Sequence, residues 1–118
     1  MQPAKILVVD DDAVARELLA EALKKEGYAV EAFASGEEVI ARGRQGRVDL
    51  VLTDIRMGAV DGLTVLREFK RMSPDTAVVV LTSFGSLEGA IEAIKQGAYD
   101  YLAKPFKKED IKLVVNRS

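Results

Sequence analysis

The 118 residues carry 17 basic and 19 acidic side chains, for a formal net charge of −2, on a length that suits one domain with its own core. Cysteine and histidine are both absent, which excludes disulfides, thiolate and imidazole metal sites, cysteine nucleophiles, Ser-His-Asp chemistry and a histidine phosphocarrier. The charge balance is not the footprint of a nucleic-acid binder, the apolar runs are too short to span a membrane, and MQPAKIL lacks a signal-peptide layout, so a soluble cytoplasmic module is expected.

Short apolar runs alternate with amphipathic stretches along the chain. ILVV (6–9) reads as a strand buried on both faces. Residues 13–26 place Val14, Ala15, Leu18, Leu19, Ala22 and Leu23 on one helical face, with Arg16, Glu17, Glu21, Lys24 and Lys25 elsewhere. Gly27 follows as a C-terminal stop. YAVEAF (28–33) includes Glu31, which suits an edge strand. Ser35 and Glu38 have capping-box spacing at the head of a helix over 35–42. DLVLT (49–53) is a second buried strand, Asp61-Gly62 a turn, and 62–72 a helix through Leu63, Leu66, Phe69 and Met72.

AVVVL (77–81) is the most apolar strand. Ser86 is expected to cap a helix that carries Leu87, Ala90, Ile91 and Ile94 on one face and stops at Gly97. YDYLA (99–103) reads as another edge strand, and residues 108–115 begin a last helix with Ile111, Val114 and Val115. Five strands alternating with five helices give an α/β fold. The expected architecture is a doubly wound five-stranded parallel sheet, flavodoxin-like, in the order 2-1-3-4-5 with the two weaker strands at the edges. Sites in such sheets form at the C-terminal strand ends, where the winding reverses.

The rule brings distant residues together: Asp10, Asp11 and Asp12 after the first strand, Asp54 after the third, Thr82 and Ser83 after the fourth, and Lys104-Pro105 after the fifth. Asp12 suits a helix N-cap. Carboxylates so close raise each other's pKa unless a cation intervenes. Three carboxylates, one divalent cation and one lysine sum to zero charge. Oxygen ligands alone select a hard cation, of which Mg2+ is the plausible one. A carboxylate beside Mg2+ can attack phosphorus to form an aspartyl phosphate, with lysine, hydroxyl and metal balancing the phosphoryl charge.

VVDDD, TDIRM…DG, LTS and DYLAKPF, in this order, resemble the receiver domain of two-component response regulators over essentially the whole chain. The text SLEGAIEAIKQGAYDYLAKPF is most similar to receivers of enhancer-binding transcription activators. The resemblance implies that Asp54 is the phosphoacceptor, and that Mg2+ is held by Asp10, Asp11, Asp54 and the backbone carbonyl of Arg56. It further implies that Lys104 pairs with the phosphoryl group. Thr82 then moves to bond that group, Tyr101 turns inward behind Thr82, and the Lys104–Pro105 bond is cis. Arg56 and Ser83 are expected beside the reacting group, at positions that tune hydrolysis.

The implied partners are a sensor histidine kinase, a C-terminal output domain acting on transcription, and a second copy bound through the face around helix 4 and strand 5. Neither nucleic acid nor a membrane is contacted by this domain, and the only catalysis expected is its own phosphorylation and dephosphorylation. Residues 1–118 then form a single receiver domain, the N-terminal part of a longer regulator, ending early in its last helix. One departure stands out: DIRMGAVDG has Gly58 where the family usually has proline, and glycine costs more entropy to order.

A second reading belongs to another class. VVDDDAV also fits the hhhDxDxV start of Mg2+-dependent haloacid-dehalogenase-type phosphatases, with Asp10 as nucleophile and Asp12 as acid/base. That reading leaves Asp54 without a role. A third, a receiver that only binds partners, leaves the intact set of acids, Thr82 and Lys104 unexplained.

Overall fold

The computed structural model describes residues 3–58, 60–83 and 87–117. Strands β1 (Lys5–Val9), β2 (Ala29–Phe33), β3 (Leu50–Asp54), β4 (Ala77–Thr82) and β5 (Asp100–Ala103) alternate with helices α1 (Ala13–Lys25), α2 (Gly36–Gly43), α3 (Gly62–Met72), α4 (Leu87–Lys95) and α5 (Lys108–Arg117). All strand pairs are parallel, in the order β2-β1-β3-β4-β5. The expected doubly wound order is therefore observed, with both weak strands at the edges.

The period of two along each strand explains why ILVV and AVVVL show no polar face. Leu7, Val9, Val51, Val78 and Val80 pack with Val39 and Ile40 of α2, Val65, Leu66 and Phe69 of α3 and Ala93 of α4. The intervening Ile6, Val8, Leu50, Leu52, Val79 and Leu81 pack on the other face with Leu19 and Leu23 of α1 and Ile111, Val114 and Val115 of α5. Each central strand is thus sandwiched between helices. On the edge strand β2, Glu31 accepts from Lys5 Nζ and Arg42 Nε, both at 3.0 Å.

The helix ends follow local chemistry. Asp12, Ser35 and Asp61 accept from the backbone N–H of Val14, Glu38 and Thr64. Glu38 closes its box through the Ser35 hydroxyl, which donates to Oε1 at 3.0 Å. Gly27 and Gly97 follow α1 and α4 with φ of 94° and 109°, which glycine adopts without strain. The expected cap Ser86 lies outside the described residues.

Two expected helix faces need correction. In α1, Val14 is 76% exposed and Leu18 is also at the surface, while the buried residues are Leu19, Ala20 and Leu23. In α4, Ala90 and Ala93 are buried and Ile91 and Ile94 are half-exposed. Small residues on the buried side let α4 sit close to the sheet and turn the isoleucines outward.

Candidate functional site

The central strands converge at their C-terminal ends. Asp10 directly follows β1, Asp54 is the last residue of β3, Thr82 is the last of β4, and Lys104 directly follows β5. The β5 position is tied to β4, because Lys104 N donates to Thr82 O at 2.6 Å. The Lys104–Pro105 bond is cis, as the resemblance implied.

Carboxylate oxygens of Asp10, Asp11 and Asp54 all lie within 4.8 Å of one another. Asp10 is completely buried, Asp54 keeps 13% of its side chain exposed, and Asp11 is exposed. Lys104 Nζ serves both inner acids: it lies 2.8 Å from Asp10 Oδ2 and 3.4 Å from Asp54 Oδ2. The shorter approach is a tight ion pair, and it gives Asp10 Oδ2 its cationic partner. The other oxygen, Oδ1, accepts from Asp12 N at 2.9 Å.

One lysine does not neutralise this cluster. Burial, then the charge of Asp10, pushes the Asp54 carboxyl up to about 6, and Lys104 only partly offsets them. Burial acts to lower the Lys104 pKa, but Asp10 and Asp54 outweigh it and hold the ammonium above its ordinary range. Converging all-oxygen donors and negative charge in excess of the one lysine together fit a hard divalent cation such as Mg2+.

Glycine is required beside the C-terminal end of β3. Gly62 N donates to Ile55 O at 2.8 Å, and a Cβ at Gly62 would stand 2.2 Å from the Asp54 carbonyl oxygen. The Asp61 cap and this bare backbone let α3 start directly against β3. Thr82 is buried at the end of β4. Tyr101 is 42% exposed on the outer side of β5, not turned inward. Arg56 and Ser83 are exposed at the rim. Asp12 caps α1, with Oδ1 taking Val14 N at 3.0 Å.

One contact was missed in the sequence. Arg16, read as part of the polar side of α1, is only partly exposed, and its Nη1 donates to the Asp10 carbonyl oxygen at 2.8 Å. The available signal was a long basic side chain one turn into the helix that follows the acid triplet.

The family profile described as the response regulator receiver domain matches residues 6–116. The chain is 44% identical over 100 residues to the transcriptional regulatory protein ZraR of Salmonella typhimurium, covering 85% of this chain and 23% of that protein. It is 38% identical over 118 residues to the DNA-binding transcriptional regulator NtrC of the same organism, covering 100% of this chain and 25% of that protein. The chain thus spans about a quarter of the length of these curated relatives. The crystal structure of the receiver domain of NtrX from Brucella abortus superposes with a TM-score of 0.91 at 37% identity, covering 95% of each chain. The chemotaxis protein CheY4 of Vibrio cholerae gives 0.90 at 31% identity, covering 98% of each.

None of these supports the haloacid-dehalogenase reading, and the geometry opposes it, since Asp12 is occupied as a helix cap and Asp10 is sealed in the interior. The fold, the acid cluster and these similarities agree: the chain belongs to the response regulator receiver domain family.

Proposed function

We propose that Asp54 is the phosphoacceptor of this receiver. The observation that carries the reading is the convergence of Asp10, Asp11, Asp54 and Lys104 at the strand ends. A carboxylate oxygen of Asp54 attacks the phosphorus of a phosphohistidine on a sensor kinase. The P–O bond forms as the P–N bond breaks, and the imidazole leaves with the electron pair and takes a proton. Water later attacks the same phosphorus, which frees inorganic phosphate and restores the carboxylate. Lys104, 3.4 Å from Asp54, is placed to balance charge on the transferred group. Asp10, Asp11, Asp54 and the Arg56 carbonyl are the proposed holders of Mg2+, which when bound neutralises phosphoryl oxygens.

The switch assignment rests on Thr82 and Tyr101. Thr82 is buried beside Asp54, and Tyr101 is outward. Inward rotation of the tyrosine after Thr82 engages the phosphoryl group is the conformational change we assign. Ile91, Ile94, Tyr101 and Leu113 expose apolar surface across α4, β5 and α5, which supports this face as the place where a second copy docks. Residues 1–118 act in this reading as one receiver unit, the N-terminal part of a longer regulator with a C-terminal output domain. The relatives' names as transcriptional regulators support transcription as the output and the cytoplasm as its place. Among the described residues, no helix is long and apolar enough to cross a membrane.

The test is exposure to acetyl phosphate and Mg2+, followed by mass spectrometry of peptides. One phosphoryl group is expected on the peptide containing Asp54, and none on Asp54→Asn. Label on Asp10 would overturn the assignment.

A further inference from the structure

Arg16 stands next to three aspartates, yet among the described residues it pairs with no carboxylate. Its hydrogen bond goes to a neutral group, the Asp10 carbonyl oxygen, at 2.8 Å. A cation placed to neutralise the cluster would reach an acid oxygen; this one reaches the backbone between two acids. That choice of partner is the observation to explain.

The Asp10 carbonyl lies where the chain leaves the sheet, between the last sheet bond and the first turn of α1. β1 ends at Val9, and Asp10 N makes one further sheet bond, to Phe33 O at 3.2 Å. Beyond that point the chain leaves the sheet and turns into α1. Asp12 N folds back to Asp10 Oδ1, and Arg16 N bonds to Asp12 O at 3.0 Å. The peptide joining Asp10 to Asp11 carries the carbonyl that Arg16 takes. Rotation of that peptide swings the Asp11 side chain and disturbs the Asp10 torsions.

We propose that Arg16 is a positioning residue of the acid site. Its guanidinium fixes the Asp10–Asp11 peptide, and so fixes the relative aim of two of the three carboxylates that converge within 4.8 Å. The inference rests on the reading of that cluster as a divalent-cation site. It adds a residue outside the ligands, whose position on α1 couples the helix to the site. Groups that orient metal ligands from behind typically change affinity by about 10–100-fold when removed.

The charge of Arg16 gives the test its sign. A guanidinium one peptide away repels a cation. If Arg16 acted only through charge, its removal would tighten Mg2+ binding. If it acts by holding the peptide, removal weakens binding despite the relief of repulsion.

The experiment titrates the full chain with MgCl2 by isothermal calorimetry, for wild type, Arg16→Ala and Arg16→Lys, with metal-free melting temperature and circular dichroism measured alongside. The expected results are a Kd raised about tenfold in Arg16→Ala, native circular dichroism, and partial recovery in Arg16→Lys, which keeps one donor. A Kd unchanged or lowered in Arg16→Ala would overturn the positioning role while leaving the cation site standing. If Arg16→Ala fails to fold, Arg16→Lys decides: a loss of at least twofold supports the proposal, and wild-type affinity overturns it. Absence of Mg2+ binding by the wild type would overturn the site reading itself, and the proposal with it.

Discussion

Replacing Asp54 with asparagine should stabilise the metal-free protein. Burial, and then the charge of Asp10, moves the Asp54 carboxyl from 3.8 to about 6. At about 1.4 kcal/mol for each tenfold change in proton affinity, keeping Asp54 ionised costs the fold about 3 kcal/mol at neutral pH. Asparagine removes the charge and keeps the shape. The gain is therefore about 2–3 kcal/mol at pH 7.5, reduced if the amide finds no donor for its oxygen. For a chain of this length, 1 kcal/mol moves the melting temperature by about 4 °C, so a rise of about 8–12 °C is expected.

The pH dependence has a definite sign. A carboxyl whose folded pKa is raised contributes most stability below its unfolded pKa and loses it as pH rises through the folded value. Wild type should therefore approach Asp54→Asn in stability as pH falls from about 7 to about 4, because protonation does what the substitution does. The Glu31 carboxyl is held down by Lys5 and Arg42 against its burial, and the Asp49 carboxyl by the Lys5 backbone N–H and then Arg47; both contributions fade in acid equally in the two proteins and drop out of the difference. The assay is thermal melting by circular dichroism, in EDTA, at four pH values. A variant less stable than wild type, or a difference that does not shrink toward pH 4, would refute the electrostatic account. Millimolar Mg2+ should raise the wild-type melting temperature more than the variant's, since only the native acid cluster binds it.

Three further substitutions separate the roles around the site. Gly62→Ala should destabilise by about 1–3 kcal/mol in urea denaturation, because its Cβ meets the Asp54 carbonyl at 2.2 Å, and should slow phosphoryl uptake as well. Asp12→Ala should lose about 1 kcal/mol through the missing cap with Mg2+ affinity within twofold of wild type; a tenfold loss would make Asp12 a participant in metal binding. Ile94→Glu should change monomer stability by less than about 0.5 kcal/mol, since Ile94 is at the surface. It should also abolish any dimer that sedimentation detects after acetyl phosphate treatment.

The fold was legible because its signals are local. Strand runs such as ILVV are apolar throughout because both faces are covered, and the caps at Asp12, Ser35 and Asp61 need only a side chain and an N–H a few residues away. The inner acids and Lys104 were legible too, because a parallel sheet collects its strand ends. What escaped depends on contacts between elements. The exposure of Ile91 and Ile94 follows from α4 resting on Ala90 and Ala93, a choice that the amphipathic pattern leaves open when alanine and isoleucine share a side. Arg16 escaped because its partner is a backbone carbonyl, which no residue type announces. Gly62 read as a turn residue, whereas its decisive property is the space it leaves for the end of β3.

The unequal division of Lys104 explains how neighbouring aspartates can differ in role. Lys104 stands nearer the fully buried Asp10 than the partly exposed Asp54. A buried charge lacking compensation is far more costly than one that reaches water, so the lysine's first service is to Asp10. Asp10 is also held by Asp12 N on one carboxylate oxygen and by Arg16 on its carbonyl, which leaves it little freedom to attack anything. Asp54 receives the weaker share, keeps an opening to solvent, and is pushed up to about 6 by burial and by the charge of Asp10. A group in that condition gains from an arriving cation. On the proposed reading it is also the carboxylate that reacts. On the same reading, the imbalance that costs the metal-free domain stability favours Asp54 over Asp10 as the nucleophile, and phosphoryl label on Asp10 would contradict that proposal.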